Sequence, residues 1–117
     1  MEFKYYQVDF LPFDLSGRQK ESSNFIKCMY ANDCITMRDG RLYTSPISSC
    51  AFIFNKHYNL DMHLSKSDSI DIHSDVTKAQ VTDFLSRPIP FCRYCNVDAR
   101  RLGTKWGLSK KNMAEWV

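Results

Sequence analysis

The chain is poor in the residues that make linkers, fibres and membrane spans. Glycine and proline occur only four times each in 117 residues, so no long flexible linker is visible. No apolar run approaches the roughly 20 residues needed to cross a bilayer. The start, MEFKYYQVDFLPFDLS, lacks the basic region and small-residue cleavage site of a signal peptide. We therefore expect one domain of residues 1–117 with no membrane partner, in the cytoplasm.

The chain also lacks the short motifs of common enzymes. It has no glycine-rich phosphate loop, no nucleophile elbow and no H-E-x-x-H. None of its three histidines has a partner at metal-ligand spacing, so each is expected at the surface or at a cap. Asp68, Asp71 and Asp75 are expected to be solvated loop residues.

There is no long run of lysine or arginine, although the charge is uneven. Residues 87–117 carry seven basic side chains against two acidic ones. Arginine interleaved with aromatics can bind single-stranded nucleic acid, and the candidate residues are Arg93, Tyr94, Arg100, Arg101, Lys105 and Trp106. A solvated face explains the same composition, so nucleic acid is the least supported partner.

What is present is 44% hydrophobic and 14% aromatic, which indicates a folded domain. A strand is predicted over residues 3–10, within a lead-in strand and connection of residues 1–24. Asp39-Gly40 between CITMR and RLYTS predicts a β-hairpin over residues 34–45, because this turn needs positive φ. Ser45 as N-cap and Pro46 at the first helical position predict a helix over residues 46–59. Its apolar stripe comprises Ile47, Cys50, Ala51, Phe54 and Tyr58.

Three further elements follow along the chain. SIDIH, residues 69–73, predicts a short strand, and Thr77 with Gln80 predicts a capping box for a helix that ends before Pro88. Ser109 is expected to open a final short helix, with its apolar residues, Met113 and Trp116 or Val117, facing inward. The expected fold is therefore a small α+β domain, with a hairpin beside a cysteine-rich site and two or three short helices.

The five cysteines are an odd number, and a reducing compartment disfavours a disulfide framework. Cys92 and Cys95 are the strongest metal-ligand candidates, because a C-x-x-C turn can aim two thiolates at one metal. A redox dithiol is less favoured, since the pair does not open a helix after a strand. Cys28 and Cys34 flank the start of the hairpin and either could approach the pair, whereas Cys50 is expected to be a buried small hydrophobe.

The spacing of Cys28, Gly40 and position 45 resembles the opening signature of the SPASM and twitch domains. These are the C-terminal auxiliary-cluster modules of radical S-adenosylmethionine enzymes. Cys92 and Cys95 are similar to the closing cysteines of the single-cluster form. The blocks FLSRPIPFCRYC and KWGLSKKNMAEW extend the resemblance over residues 25–116.

The resemblance implies an auxiliary [4Fe–4S] cluster between the hairpin and the C-terminal segment, supporting electron transfer or substrate binding. The matching ligands are Cys28, Cys92 and Cys95, and the second cysteine position holds Ser45, a much poorer ligand. Cys34 is the expected replacement and Cys50 a further alternative; otherwise one iron stays open to substrate, or no cluster assembles.

The catalytic motif of that family, C-x-x-x-C-x-x-C, is absent. We therefore expect no S-adenosylmethionine binding and no catalysis by this chain alone, and a catalytic domain on another chain as partner. The chain then looks like a detached or truncated accessory domain that starts at its own Met1.

Two alternatives share this site. One is a structural zinc module that uses Cys28 or Cys34 with Cys92 and Cys95. The other is a degenerate, cluster-free remnant that serves as an interaction domain through an exposed apolar patch.

Overall fold

The computed structural model describes residues 8–31, 33–104 and 107–117, and within them three α-helices and five strands form an α+β domain. The predicted fold class is confirmed. The helices are α1 (Glu21–Lys27), α2 (Pro46–Tyr58) and α3 (Lys78–Leu85). The strands are β1 (Val8–Phe10), β2 (Thr36–Arg38), β3 (Arg41–Tyr43), β4 (Ser69–Asp71) and β5 (Arg101–Thr104). Short 3₁₀ helices cover Lys66–Asp68, Pro90–Tyr94, Val97–Ala99 and Met113–Glu115.

The predicted hairpin is formed by β2 and β3. Asp39 and Gly40 have φ of 50° and 71°, as a two-residue turn between twisted strands requires. The paired strands are shorter than predicted and begin at Thr36, which leaves Cys34 in the preceding segment. The predicted strand at SIDIH is β4, and it pairs antiparallel with β3 to complete a three-stranded sheet.

Helix α2 begins and ends where the sequence indicates. The Ser45 hydroxyl accepts a hydrogen bond from the Ser48 N–H at 3.5 Å, and Pro46 takes the first turn. Ala51 is buried at the centre of the apolar stripe. The prediction that Cys50 is buried is wrong, because it lies at the edge of the stripe, where the helix surface opens to solvent.

The capping box of α3 is confirmed. The Thr77 hydroxyl accepts from the Gln80 N–H at 3.2 Å, and the Gln80 side chain accepts from the Thr77 N–H at 2.8 Å. The prediction for the C-terminus is wrong at Ser109. Asn112 instead caps the single 3₁₀ turn Met113–Glu115, because its side chain accepts from the Ala114 N–H at 3.0 Å.

The lead-in segment packs along the C-terminal third. Strand β1 pairs antiparallel with β5, and Phe13 forms an isolated β-bridge with Cys95. The Asn96 N–H donates to the Pro12 carbonyl at 2.9 Å, and the Asp14 N–H donates to the Tyr94 carbonyl at 2.7 Å. Because of these pairings, the lead-in segment forms one wall of the core. Residues 3–7 of the predicted strand lie outside the described residues.

The core surrounds Phe91, which is 1% exposed. Its ring lies 5.3 Å from that of Tyr94 and edge-on to that of Phe13 at 6.3 Å. The other buried members are Ala51, Met62, Phe84, Ile89, Cys95 and Val97. The C-x-x-C segment is thus built into the core.

In the part of the chain that the structure describes, no helix has the length and apolar character to cross a bilayer.

Candidate metal centre

Three of the five cysteines line one small cavity. Cys28 reaches it from the end of α1, and Cys92 and Cys95 reach it from the Pro90–Tyr94 turn. Ser45, at the start of α2, lines the same cavity. The free volume is about 20 Å³, which is room for one water molecule. The remaining lining residues are Asn24, Ala31, Thr44, Ile47, Ser48, Ile89, Phe91 and Val97.

The turn brings both residues of the C-x-x-C pair to the cavity, Cys92 within the 3₁₀ helix and Cys95 at its end. The Cys92 N–H donates to the Ile89 carbonyl at 3.0 Å, and the Cys95 N–H donates to the Cys92 carbonyl at 3.2 Å. In a 3₁₀ helix, side chains three residues apart lie one above the other. Pro90 favours this conformation because its φ is already restricted.

Asn24 connects α1 to this turn, and sequence reasoning missed it. Its side chain is 4% exposed. Its amide nitrogen donates to the Cys92 carbonyl at 2.8 Å and also to the Cys95 carbonyl. Asn24 and Cys28 are four residues apart, so they share one side of the helix end. The only sequence signal was an amide residue one turn before a cysteine.

Asp68 holds the other end of the turn. Its carboxylate accepts from the Phe91 N–H at 2.7 Å and from the Ser65 N–H at 2.7 Å. The prediction that Asp68 is a solvated loop residue is wrong, because it is 2% exposed and satisfies buried backbone donors. Asp75 is exposed, as expected, and Asp71 is half-buried at the end of β4.

The environment favours the protonated form of the Cys92 and Cys95 thiols in the absence of a metal. Burial raises the pKa of the Cys92 thiol to about 11, and a thiolate at Cys28 would act in the same direction. Burial also raises the pKa of Cys95, with Cys92 and Cys28 adding to the effect. A metal that binds here has to displace protons from these thiols.

The other two cysteines lie away from this cavity. Cys34 and Cys50 are both exposed, and neither lines it. Cys50 lines an apolar groove of about 350 Å³ instead, between α2 and Trp116. The two predicted substitutes for the missing cysteine are therefore not brought to the site.

The histidines and the basic residues also lie apart from the cavity lining. All three histidines are exposed, as expected. Tyr94 is 6% exposed, so its ring is not available as a platform for a nucleic-acid base. The Arg93 guanidinium packs on that ring at 4.9 Å. Lys105 and Trp106 lie outside the described residues.

The donors only partly fit a metal. Among residues 8–31, 33–104 and 107–117, no three His, Cys, Asp or Glu side chains form a group that could hold a metal ion in their present positions. Three soft thiols around one space are nevertheless a suitable donor set for iron–sulfur clusters or zinc. A cavity of about 20 Å³ would have to widen to accept a cluster.

No protein-family model, curated protein or solved structure matches this chain. The resemblance to SPASM and twitch domains therefore rests on the quoted residues and stays a prediction. The spacing of the cysteines and the shared cavity are the observations that bear on the site.

Proposed function

We propose that this chain is an accessory module that binds an iron–sulfur cluster through Cys28, Cys92 and Cys95. One observation carries the proposal: thiols from two distant segments line one cavity. Ser45 lines it too, at the position where the family that the sequence resembles has a cysteine. Three cysteines that are buried for packing alone need not line the same cavity. Three cysteines that bind one metal must do so.

The residues of this chain bind and shield the cluster in this proposal. Phe91, Ile89 and Val97 are buried around the thiols and exclude water, which lowers the local dielectric and influences the reduction potential. When bound, a [4Fe–4S] cluster supplies one-electron transfer, and an iron that lacks a cysteine can bind a substrate atom. Catalysis would belong to a radical S-adenosylmethionine domain on a partner chain.

A second candidate is a metal-free interaction domain. Two observations favour it: the Ser45 hydroxyl already caps α2, and the described residues contain no metal-holding group in place. The apolar side chains it would use are exposed, and they include Ile26, Met29, Ile35, Met37, Phe52 and Ile53.

Metal analysis after anaerobic purification and reconstitution tests the proposal. We expect iron and sulfide in stoichiometric amounts, with broad visible absorption. Serine substitution of Cys28, Cys92 or Cys95 should abolish iron binding. Cys34→Ser and Cys50→Ser are the matched controls, because both thiols are exposed and lie away from the cavity.

Three results would contradict the proposal in different ways. Stoichiometric zinc that survives aerobic purification and is lost in the same three variants would identify a zinc module. A folded protein without metal would favour the interaction domain. Equal iron loss in the control variants would show that binding is nonspecific.

A further inference from the structure

We infer that Asn24 is the positioning residue that sets the C-x-x-C thiols at their distance from Cys28. This inference rests on the proposed function, because it concerns the same three-cysteine site. The Asn24 amide bonds to the backbone carbonyls of the cysteines and not to their thiols. Its role in this inference is therefore to orient the ligands.

The Asn24 amide group supplies two hydrogen-bond donors. Both donate to carbonyls of the turn, one at Cys92 and one at Cys95. These carbonyls belong to the two residues whose thiols line the cavity. A single side chain therefore fixes both ends of the C-x-x-C segment.

The position of Asn24 on α1 relates the turn to the third cysteine. Asn24 lies in the last turn of the helix, and Cys28 is the residue at which the helix ends. The amide thus connects the backbone carrying Cys92 and Cys95 directly to the backbone carrying Cys28. Helix α1 packs against the Pro90–Tyr94 turn, and the Asn24 amide lies within this contact.

Asn24 is buried, so removing its amide takes a hydrogen bond from each carbonyl at a site with little access to solvent. The Cys92 carbonyl keeps its bond from the Cys95 N–H, whereas the Cys95 carbonyl loses its side-chain donor. The turn can then relax away from α1 to reach solvent. Hydrogen-bond partners of metal ligands typically change metal affinity by about 10–100-fold when they are removed.

Asn55 provides a matched control. It is also a helical asparagine with two side-chain hydrogen bonds to backbone, donating to the Met62 carbonyl at 2.8 Å and accepting from the Met62 N–H at 3.1 Å. It does not line the cysteine cavity. Asn55→Ala therefore also removes two hydrogen bonds between an amide side chain and backbone, but away from the cysteines.

The experiment titrates metal-free full-length protein with cobalt(II) alone and follows thiolate-to-cobalt absorption. We expect Asn24→Ala to weaken binding by about 10–100-fold. Asn24→Ser keeps one donor and should fall between the wild type and Asn24→Ala. Asn55→Ala should bind cobalt as the wild type does, even where both alanine variants lose similar stability in urea.

A second measurement needs no metal. Iodoacetamide alkylation of Cys92 and Cys95, mapped by peptide mass spectrometry, should accelerate at least several-fold in Asn24→Ala and stay unchanged in Asn55→Ala. Equal effects of the two alanine variants, or no effect of Asn24→Ala on either measurement, would overturn the inference. If the wild type binds neither cobalt nor iron, the proposed function fails, and the alkylation rates alone decide the role of Asn24.

Discussion

Replacing Ser45 with cysteine tests the site most directly. Ser45 is 8% exposed and lines the same cavity as the three cysteines. Ser45→Cys removes the N-cap of α2, whose hydrogen bond to the Ser48 N–H is long at 3.5 Å. Loss of an N-cap costs about 0.5–2 kcal/mol, and the long contact places this one near the lower end. We expect the metal-free variant to be less stable by about 0.5 kcal/mol.

With metal bound, we expect Ser45→Cys to be more stable than the wild type, the reverse of the metal-free case. A fourth thiolate completes a tetrahedral set, and a tenfold gain in affinity corresponds to about 1.4 kcal/mol. That gain exceeds the loss of the cap, so the loaded variant should unfold at higher urea concentration than the loaded wild type. The assay combines urea unfolding, with and without metal, and the rate of metal loss to a chelator.

Ser49→Cys is the control for this experiment. Ser49 is fully buried on the same helix, but it does not line the cavity, and its hydroxyl donates to the Pro46 carbonyl at 3.0 Å. It introduces a buried thiol without adding a ligand. If Ser45→Cys binds metal no more tightly than Ser49→Cys, then Ser45 does not occupy a ligand position and the proposed site is wrong.

Three further predictions concern the fold and the thiols. Phe91→Ala should lower the free energy of unfolding by about 3–5 kcal/mol in urea titration, because Phe91 is 1% exposed at the centre of the core. A loss below about 1 kcal/mol would contradict this packing. Gly40→Ala should lower the free energy of unfolding by about 1–2 kcal/mol, because φ is +71° and the new Cβ would lie 2.6 Å from the exposed His73 ring. An unchanged midpoint in thermal unfolding would exclude the hairpin turn described here. In metal-free protein, the exposed Cys34 and Cys50 should be alkylated before the other cysteines at pH 7. The rate at Cys92 should keep rising until about pH 11, since a raised pKa leaves less thiolate at every lower pH; a rate that levels off near pH 9 would show that Cys92 is solvated.

The elements that the sequence predicted correctly are those encoded locally. Asp39-Gly40 specifies its own turn, and Ser45-Pro46 starts its own helix, whatever lies elsewhere in the chain. Thr77 and Gln80 satisfy each other within one helical turn. Such features need only a few neighbouring residues, so their patterns are visible in the sequence.

The missed features depend on contacts between distant segments. Nothing near Asp68 in the sequence indicates that its carboxylate will receive the Phe91 N–H, and nothing near Asn24 indicates the two cysteine carbonyls. Cys50 was predicted as buried because periodicity gives the axis of a stripe more reliably than its edge. Of the four predicted ligands, Cys28, Cys92 and Cys95 line one cavity and Cys34 does not, whereas Asn24 in the same lining was missed.

The hydrogen bonds from Asn24 span 68 and 71 residues of sequence, and the pairing of β1 with β5 joins Val8–Phe10 to Arg101–Thr104. Contacts of such high contact order carry a large loop-closure entropy, so they form late in folding. The cavity therefore exists only after almost the whole chain has been synthesised and collapsed. A metal would enter a domain that is already folded, in contrast to a zinc finger, in which the ion itself organises the chain. Assembly of this site would thus be a maturation step, sensitive to how fast the finished domain can open locally at the Pro90–Tyr94 turn.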